Sequence, residues 1–257
     1  MSGLILPRRI REGRSLAGPR NQRGFIINPY ALGTGGGGGS SLYTEIMADS
    51  PIHYWRNAEA SGAVMVDEIT TDGAYQGAVS LGNTAIYTGG PTCASNFSTT
   101  GPRGGYSTVT PGAINAMTLV SVVQFNSTSG VQPVGPNRDQ GSTRMYQFRS
   151  NGTSLEFIKI VGSVESVSQA GVFTAGVTAI VAITVDSSGN YVMYKNGASI
   201  KTGSIAAANY GGSGDNWEIG YCTSMAAAMN GYTCENAVFN TALSGARMAA
   251  YATAAGL

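Results

Sequence analysis

Hydrophobic and polar residues alternate along much of the chain between residues 53 and 239, which predicts many short β-strands. In residues 117–125, one face of the strand would carry Met117, Leu119, Val123 and Phe125, and the other Val120 and Val122. Apolar residues on both faces are typical of a strand inside a sheet. Residues 177–185 show the same double pattern, so we predict that both segments form central strands.

Turn residues separate the alternating segments. Asn151-Gly152 and Asn196-Gly197 each follow a predicted strand, and Asn-Gly favours a tight hairpin because both residues tolerate positive φ. Residues 186–190, Asp-Ser-Ser-Gly-Asn, form a further turn by composition. About a dozen short strands with this spacing predict an all-β fold in which two antiparallel sheets form a sandwich.

Two short helices flank the predicted strands. Residues 42–47 place three apolar side chains on one side of one or two helical turns, which Asp49-Ser50-Pro51 would end. Residues 244–254 are rich in alanine and begin with a serine, a residue type that caps helix N-termini. We therefore predict a short C-terminal helix.

The first 40 residues differ in composition from the rest of the chain. They carry a net charge of +5, against −4 for the remaining residues, contain few apolar side chains and end in the glycine run Gly35 to Gly39. Such a segment cannot offset the entropy that it loses on ordering, and the glycines predict a flexible hinge. We expect two domains: a basic arm and linker over residues 1–40, and a sandwich over residues 41–257.

We expect the arm to dock onto a larger assembly, with residues 25–30 as a short extended anchor. The residues predicted to dock are Arg8, Arg9, Arg11, Arg14, Arg20, Arg23, Phe25 and Tyr30. An acidic protein surface is the favoured partner. A solvated basic tail is an alternative, and nucleic-acid binding is less favoured because no aromatic residues that would stack on bases are interleaved with the arginines.

The three cysteines, Cys93, Cys222 and Cys234, have no CxxC spacing, so neither a disulfide framework nor a zinc site is predicted. We expect three isolated buried thiols. A bond between Cys222 and Cys234, on neighbouring predicted strands, remains an alternative under oxidising conditions.

Targeting signals are not evident. The apolar stretch Leu4-Ile5-Leu6 is shorter than the core of a secretory signal, and no apolar run approaches the roughly 18 residues of a membrane span. We expect a protein that is made in the cytoplasm and does not associate with membranes.

Several motifs, taken in order, resemble the laminin-G-like, or concanavalin A-like, jelly-roll family. They are Tyr194-Lys195-Asn196-Gly197, Ile219-Gly220, Asn230-Gly231 and Ala242-Leu243-Ser244. Residues 48–56, Ala-Asp-Ser-Pro-Ile-His-Tyr-Trp-Arg, are similar to the opening of such domains in bacteriophage virion proteins. The resemblance covers about residues 42–257 and implies a jelly-roll sandwich.

One departure from the family lies on the penultimate predicted strand. Many members have Ile-Asp-Glu-Val there, whereas this chain has Thr233-Cys234-Glu235-Asn236. Only the glutamate is retained, so any role of the missing acid in holding a metal is not carried over.

Enzymes with this fold, β-glucanases among them, place two carboxylates on one strand about 5–5.5 Å apart. The chain has no Glu-x-Asp-x-Glu sequence. It has a single histidine, His53, and no Gly-x-Ser-x-Gly motif whose serine that histidine could activate. Residues 186–190 offer oxygen atoms to calcium, but a hairpin turn accounts for the same residues. We expect no enzymatic activity, no catalytic or metal-binding residues and no cofactor.

Aromatic residues mark where a glycan would bind. Tyr106, Tyr210, Trp217 and Tyr221 could stack on sugar rings, as aromatic side chains do in carbohydrate-binding sandwiches, although Trp217 begins a predicted strand. Tyr210 lies in the glycine-containing loop 208–212. We predict Tyr210 and Tyr106 as the glycan contacts.

The arm and the resemblance together predict a non-enzymatic structural protein of the bacteriophage virion, either a capsid decoration, a head-fibre or a tail-associated subunit. The arm would bind other virion proteins, while the jelly-roll domain, as part of a homo-oligomer, would pack against its neighbours or contact host surface glycans. A glycan-binding lectin and a glycan-active hydrolase on the same fold are the alternatives.

Overall fold

The computed structural model describes residues 41–77, 79–95, 105–107, 113–138, 146–211 and 217–257. The chain divides into two units, residues 1–36 and residues 37–257, and all described residues belong to the second. The predicted docking arm, with its contact residues from Arg8 to Tyr30, lies outside the described residues.

Two helices flank a long series of strands in the described part of the chain. In chain order the elements are α1 (Leu42–Ala48), β1 (His53–Trp55), β2 (Val64–Met65), β3 (Gly73–Tyr75), β4 (Ser80–Asn83), β5 (Cys93–Ser95), β6 (Gly105–Ser107), β7 (Met117–Phe125), β8 (Val131–Pro133), β9 (Tyr146–Asn151), β10 (Ser154–Lys159), β11 (Glu165–Gln169), β12 (Thr178–Val185), β13 (Asn190–Lys195), β14 (Ala198–Ser204), β15 (Trp217–Ile219), β16 (Tyr221–Cys222), β17 (Ala227–Ala228), β18 (Gly231–Phe239) and α2 (Gly245–Ala255). The predicted all-β fold with a short C-terminal helix is confirmed. Neither helix is long and apolar enough to cross a membrane.

The larger sheet has eight strands. Seven of them lie in the order β14-β13-β12-β7-β18-β5-β4, and β1 pairs with residues 236–238 of β18. Strands β7 and β12 pair antiparallel, from Thr178 opposite Gln124 to Val185 opposite Met117. Both strands lie inside the sheet, as the sequence predicts.

A second layer packs on one face of the larger sheet. It consists of the four-stranded sheet β11-β10-β9-β8, the four-stranded sheet β15-β6-β3-β2 and the hairpin β16-β17. One core cluster joins the layers, and its largest side chains include Trp55, Phe125, Tyr146, Phe157 and Trp217. Two antiparallel layers around a shared core form the predicted sandwich.

The alternation along β7 places its side chains in two separate cores. Met117, Leu119, Val123 and Phe125 belong to the core between the layers, whereas Val120 and Val122 belong to a second cluster on the opposite face. Successive side chains of a strand point to opposite faces, so this outcome follows directly from the sequence pattern. The predicted faces of the strand are confirmed.

Both helices cover the outer face of the larger sheet. Leu42 and Ile46 of α1 and Met248 and Tyr251 of α2 belong to the same buried cluster as Val122. Ser41 and Ser244 cap the two N-termini, each accepting a backbone N–H three residues on. This face is therefore closed by apolar packing.

A polar clasp joins the two helices. Arg247 of α2 pairs with Glu45 (Nη2 to Oε2) and with Asp49 (Nε to Oδ2), both at 2.7 Å, and the Tyr251 hydroxyl donates to Asp49 at 2.5 Å. Such partly exposed pairs contribute little individually, but a guanidinium shared by two carboxylates restricts where the helices can lie.

The predicted hairpins form, although the β9–β10 turn lies one residue later than the Asn151-Gly152 pair indicates. Asn151 is the last residue of β9 and pairs with Ser154, so Gly152 and Thr153 form the turn of the β9–β10 hairpin, in which Gly152 has a φ of 59°. In the β12–β13 turn, Asp186 accepts hydrogen bonds from the backbone N–H groups of Ser188 and Asn190 and from the Asn190 side chain, each at 2.9 Å. These bonds lower the pKa of Asp186 and support the hairpin interpretation of this segment.

One predicted strand is broken in two. The strand predicted to begin at Trp217 ends at Ile219, because Gly220 has a φ of 72° and separates β15 from β16. Strand β15 pairs with β6, whereas β16 pairs with β17. The left-handed turn, which glycine adopts readily, sends the chain into a different sheet.

Candidate functional site

Glu235 joins the two regions that carry the family resemblance. Its carboxylate accepts hydrogen bonds from the hydroxyl of Tyr54 through a short contact, from that of Tyr87 at 2.7 Å, and from Nε and Nη2 of Arg56 at 3.3 and 3.2 Å. We call these four residues the Glu235 cluster. Because Tyr54 and Arg56 belong to the opening Tyr-Trp-Arg motif, the cluster ties that motif to β18.

The backbone at Glu235 explains how one side chain reaches three donors. The register of β18 against β7 shifts between Cys234 and Ala237, and Glu235 itself has a φ of 53°. Bulges of this kind redirect a side chain, but the left-handed conformation is unfavourable for any residue other than glycine. The hydrogen bonds of the carboxylate stabilise this conformation.

The electrostatics of the Glu235 cluster indicate a structural role. Burial, and then the Glu235 carboxylate, raise the pKa of Tyr54 and of Tyr87, so both hydroxyls remain protonated donors. Burial lowers the pKa of Arg56, but the carboxylate outweighs that effect and raises it overall. With both oxygens engaged by these donors, Glu235 is a fixed hydrogen-bond acceptor.

His53 is also built into the structure. Its Nδ1 lies 2.7 Å from Oδ2 of Asp67, and its ring stacks on Trp55 with 5.0 Å between ring centroids. Burial alone would raise the pKa of Asp67, but hydrogen bonds, that of His53 foremost, lower it overall. The histidine is 1% exposed, which favours the structural interpretation over a catalytic one.

The structure corrects the prediction that Tyr210 offers its ring to a glycan. Tyr210 is 1% exposed, and its ring packs edge-on against Tyr146 and Phe157, with centroid distances of 6.1 and 6.3 Å. Its carbonyl accepts a hydrogen bond from Arg138 at 2.9 Å. The loop composition suggested exposure, but burying an aromatic ring between the sheets is more favourable. Burial raises the pKa of Tyr210 to about 12.

The other aromatic candidates do not form an exposed surface with Tyr210. Trp217 is fully buried beside Trp55, with centroids 5.9 Å apart, and Tyr221 is buried as well. The backbone of Tyr106 pairs with Glu218 of β15 and Ala74 of β3, whereas its side chain lies outside the described residues. As a glycan contact, Tyr106 stays a prediction.

The four-stranded sheet β11-β10-β9-β8 presents a row of hydrogen-bonding side chains away from the core. Phe148 and Phe157 face each other across β9 and β10 and point inward, so the next pair, Arg149 opposite Glu156, points outward. Gln147 and Asn151 lie on the same outward face of β9. We call Gln147, Arg149, Asn151 and Glu156 the polar ladder.

The members of the polar ladder hold one another in place. Arg149 donates from Nε to Glu156 Oε2 at 3.0 Å and from Nη1 to Gln147 Oε1 at 2.8 Å, while Asn151 Nδ2 donates to Glu156 Oε1 at 3.2 Å. Met225, in the turn between β16 and β17, contacts Nη1 of Arg149 through its sulfur at 3.4 Å. Gln147 and Glu156 are buried, Arg149 is half-buried and Asn151 is exposed, so the ladder is ordered and meets solvent at Arg149 and Asn151.

The polar ladder combines groups that can recognise a polar ligand. Planar amide, guanidinium and carboxylate groups offer both donors and acceptors in fixed directions, as a polyhydroxylated ligand requires. Glu156 has no second acid within four residues on its strand. Across the described residues, no three His, Cys, Asp or Glu side chains come together as metal ligands would.

Sequence reasoning missed the polar ladder, although the signal was present. Polar residues occupy alternate positions 147, 149 and 151 of the first strand of the Asn-Gly hairpin, and Glu156 lies opposite in the second strand. The hairpin register, which the turn sets, would have placed them on one face. The sequence prediction relied on aromatic residues and therefore chose Tyr210 as a glycan contact.

The comparison with protein families identifies the fold. A family model described as the concanavalin A-like lectin/glucanases superfamily matches residues 104–249, more than half of the chain. The chain belongs to this superfamily. A search among curated proteins found no match.

Several solved structures share the fold of this chain. One is a structure of botulinum neurotoxin type C, whose description says that cell entry depends on interaction with two ganglioside molecules. It has a TM-score of 0.56 at 16% sequence identity, and the match covers 82% of this chain and 52% of the neurotoxin chain. A second structure, described as a receptor binding domain, has a TM-score of 0.58 at 13% identity, and the match covers 83% of this chain and 53% of that chain. The botulinum neurotoxin type G receptor binding domain has a TM-score of 0.55 at 10% identity, and the match covers 79% of this chain and 51% of that chain. The chain spans about half the length of these structures, and the likeness concerns the fold alone.

Proposed function

We propose that this protein is a non-enzymatic binding subunit of a bacteriophage particle, anchored by its N-terminal arm and displaying the sandwich toward glycans of the host surface. The observation that carries the proposal is the polar ladder. The helices close the outer face of the larger sheet, whereas the outward face of β9 and β10 carries directed donors and acceptors.

Glycan contact fits the ladder for a physical reason. Sugar hydroxyls both donate and accept, and the ladder side chains are already fixed by one another, so binding orders few additional groups. Contacts at a partly exposed rim are weak individually, but many copies on one particle would supply avidity. The ganglioside interaction named for the neurotoxin type C structure supports glycan contact as the ligand class on this fold.

The absence of catalysis is part of the proposal. The carboxylates of Asp67, Glu156 and Glu235 are each held by hydrogen bonds from neighbouring side chains. None of them is left to protonate a glycosidic oxygen. A glycan-active hydrolase is the rival, and release of reducing ends from a panel of polysaccharides would favour it over a binding subunit.

The polar ladder leads to a prediction about glycan affinity. Replacing Arg149 or Asn151 with alanine removes a directed donor, and we expect the affinity for glycans that the unaltered protein binds to fall about tenfold, the equivalent of one good hydrogen bond. Thr202→Ala on the exposed edge strand β14 serves as the control and should bind normally. Binding to a glycan array followed by calorimetry measures the effect. Full affinity in both ladder variants would contradict this assignment.

The charge division of the chain leads to a second prediction. Deleting Met1 to Gly33 removes the six arginines of the arm, so we expect a folded, monodisperse body that no longer joins phage particles. Replacing the six arginines with lysine keeps the charge and should retain most incorporation, whereas glutamine should not. Particle-bound protein is measured by immunoblot after gradient purification, and immunogold labelling locates it on head or tail. Normal incorporation of the truncated chain would refute the anchoring role.

A further inference from the structure

Two of the three thiols lie next to each other in the folded chain. Strands β5 and β18 pair antiparallel, with Tyr232 opposite Ser95 and Thr233 opposite Ala94. The next position along both strands brings Cys234 opposite Cys93. Both cysteines are completely buried and belong to the same side-chain cluster, so they point to the same face of the sheet.

The pair differs from the one that the sequence suggested. Cys222 lies on β16, which pairs with β17 and not with β18, and its sulfur lies 3.8 Å from the Ser224 hydroxyl. Cys234 instead has Cys93 as its neighbour. Burial is the largest cause of the raised pKa of the Cys234 thiol, and the hydrogen bond with Cys93 is the next. The three thiols are buried as predicted, but Cys93 and Cys234 are not isolated.

We propose that Cys93 and Cys234 form an intramolecular disulfide when the protein meets a small-molecule disulfide such as oxidised glutathione. One cysteine thiolate attacks the glutathione disulfide and releases one glutathione thiolate, which takes up the proton that the cysteine lost. The second cysteine then attacks the mixed disulfide and releases the second glutathione in the same way. Two protein thiols are oxidised, and one glutathione disulfide is reduced to two thiols.

The location of the pair gives the bond a structural consequence. Among the described residues, β18 pairs with β5 through Tyr232 and Thr233, and three residues further on it pairs with β1. A disulfide at this junction would fasten the β4–β5 edge of the sheet to the long strand β18. It would also link residues 93 and 234, closing a long loop that restricts the unfolded chain.

The buried position sets the conditions for oxidation. Neither cysteine is accessible to solvent, and the raised pKa of the Cys234 thiol keeps its thiolate scarce. Attack on glutathione therefore requires the β4–β5 edge to open. β4 is a short strand at the end of the sheet, with a register shift between Ser80 and Asn83. Mild urea, which promotes local opening, should therefore accelerate the reaction.

The test uses the full chain, incubated with oxidised glutathione in mild urea and then returned to buffer. We expect the thiols that react after denaturation to fall from three to one, a peptide map that joins Cys93 to Cys234, and a melting temperature raised by about 5–10 °C. Cys222→Ser should still form the bond, whereas Cys93→Ala and Cys234→Ala should not.

Two results would overturn the inference. The first is a peptide map of the native chain that links Cys222 to either of the other cysteines, which would show that a different pair forms. The second is three free thiols after prolonged incubation with oxidised glutathione in mild urea, which would show that Cys93 and Cys234 do not form a disulfide. Both measurements use the unaltered sequence, so they hold even where an alanine variant fails to fold.

Discussion

Replacing Glu235 with alanine should lower the free energy of unfolding by about 3–5 kcal/mol, the cost of removing one partner from a buried ionic cluster. Two buried tyrosine hydroxyls and the Arg56 guanidinium would lose their shared acceptor. Leaving such donors unpaired costs the full desolvation of each group. Urea unfolding followed by circular dichroism measures the change.

Glycine at position 235 provides a matched comparison. Both substitutions remove the carboxylate, but glycine adopts the φ of 53° without strain, whereas alanine does not. Glu235→Gly should therefore be more stable than Glu235→Ala by about 1 kcal/mol. Loss of less than about 1 kcal/mol in Glu235→Ala would mean that the cluster does not hold the opening motif against β18.

Replacing Trp217 with alanine should cost about 3–5 kcal/mol by opening a cavity between the layers. The indole contacts the rings of His53, Trp55 and Tyr146, and the Arg138 guanidinium lies 5.1 Å from its centroid. Such a loss approaches half of the stability of an ordinary domain. Thermal unfolding and urea titration would both register it.

Trp217→Phe separates packing from hydrogen bonding. The indole N–H of Trp217 is buried and has no hydrogen-bond partner among the described residues, so phenylalanine removes part of the ring volume but none of the described hydrogen bonds. We expect a clearly smaller loss than for alanine. Trp55 is the only other tryptophan, so in this variant the emission wavelength of Trp55 reports whether water enters the neighbouring core. Equal losses in the two variants would contradict a packing role.

Local patterns in the sequence predicted the framework of the fold. β7, β12, the Asn-Gly hairpin and α2 each depend on residues close together in the chain, where side-chain period, turn chemistry and capping decide the outcome. The break at Gly220 was missed because the residues on both sides favour strands. Only the change of pairing partner shows that the glycine turns the chain.

The candidate sites depend on contacts between distant residues, which one sequence does not reveal. Tyr54 and Glu235 are separated by 181 positions, and Cys93 meets Cys234 only through the register of two strands. Tyr210 was misjudged because its loop is rich in glycine and asparagine, although its ring packs on Phe157. In each case tertiary packing outweighed local composition.

The clasp between α1 and α2 also determines how the sandwich would respond to mechanical load. If the arm anchors the protein, tension enters at Ser41 and passes into a seven-residue helix. The ion pairs of Arg247 with Glu45 and Asp49 then bear force before any strand of the sheet does. High ionic strength screens such pairs, so the force needed to pull α1 away from α2 would fall as the salt content of the surroundings rises.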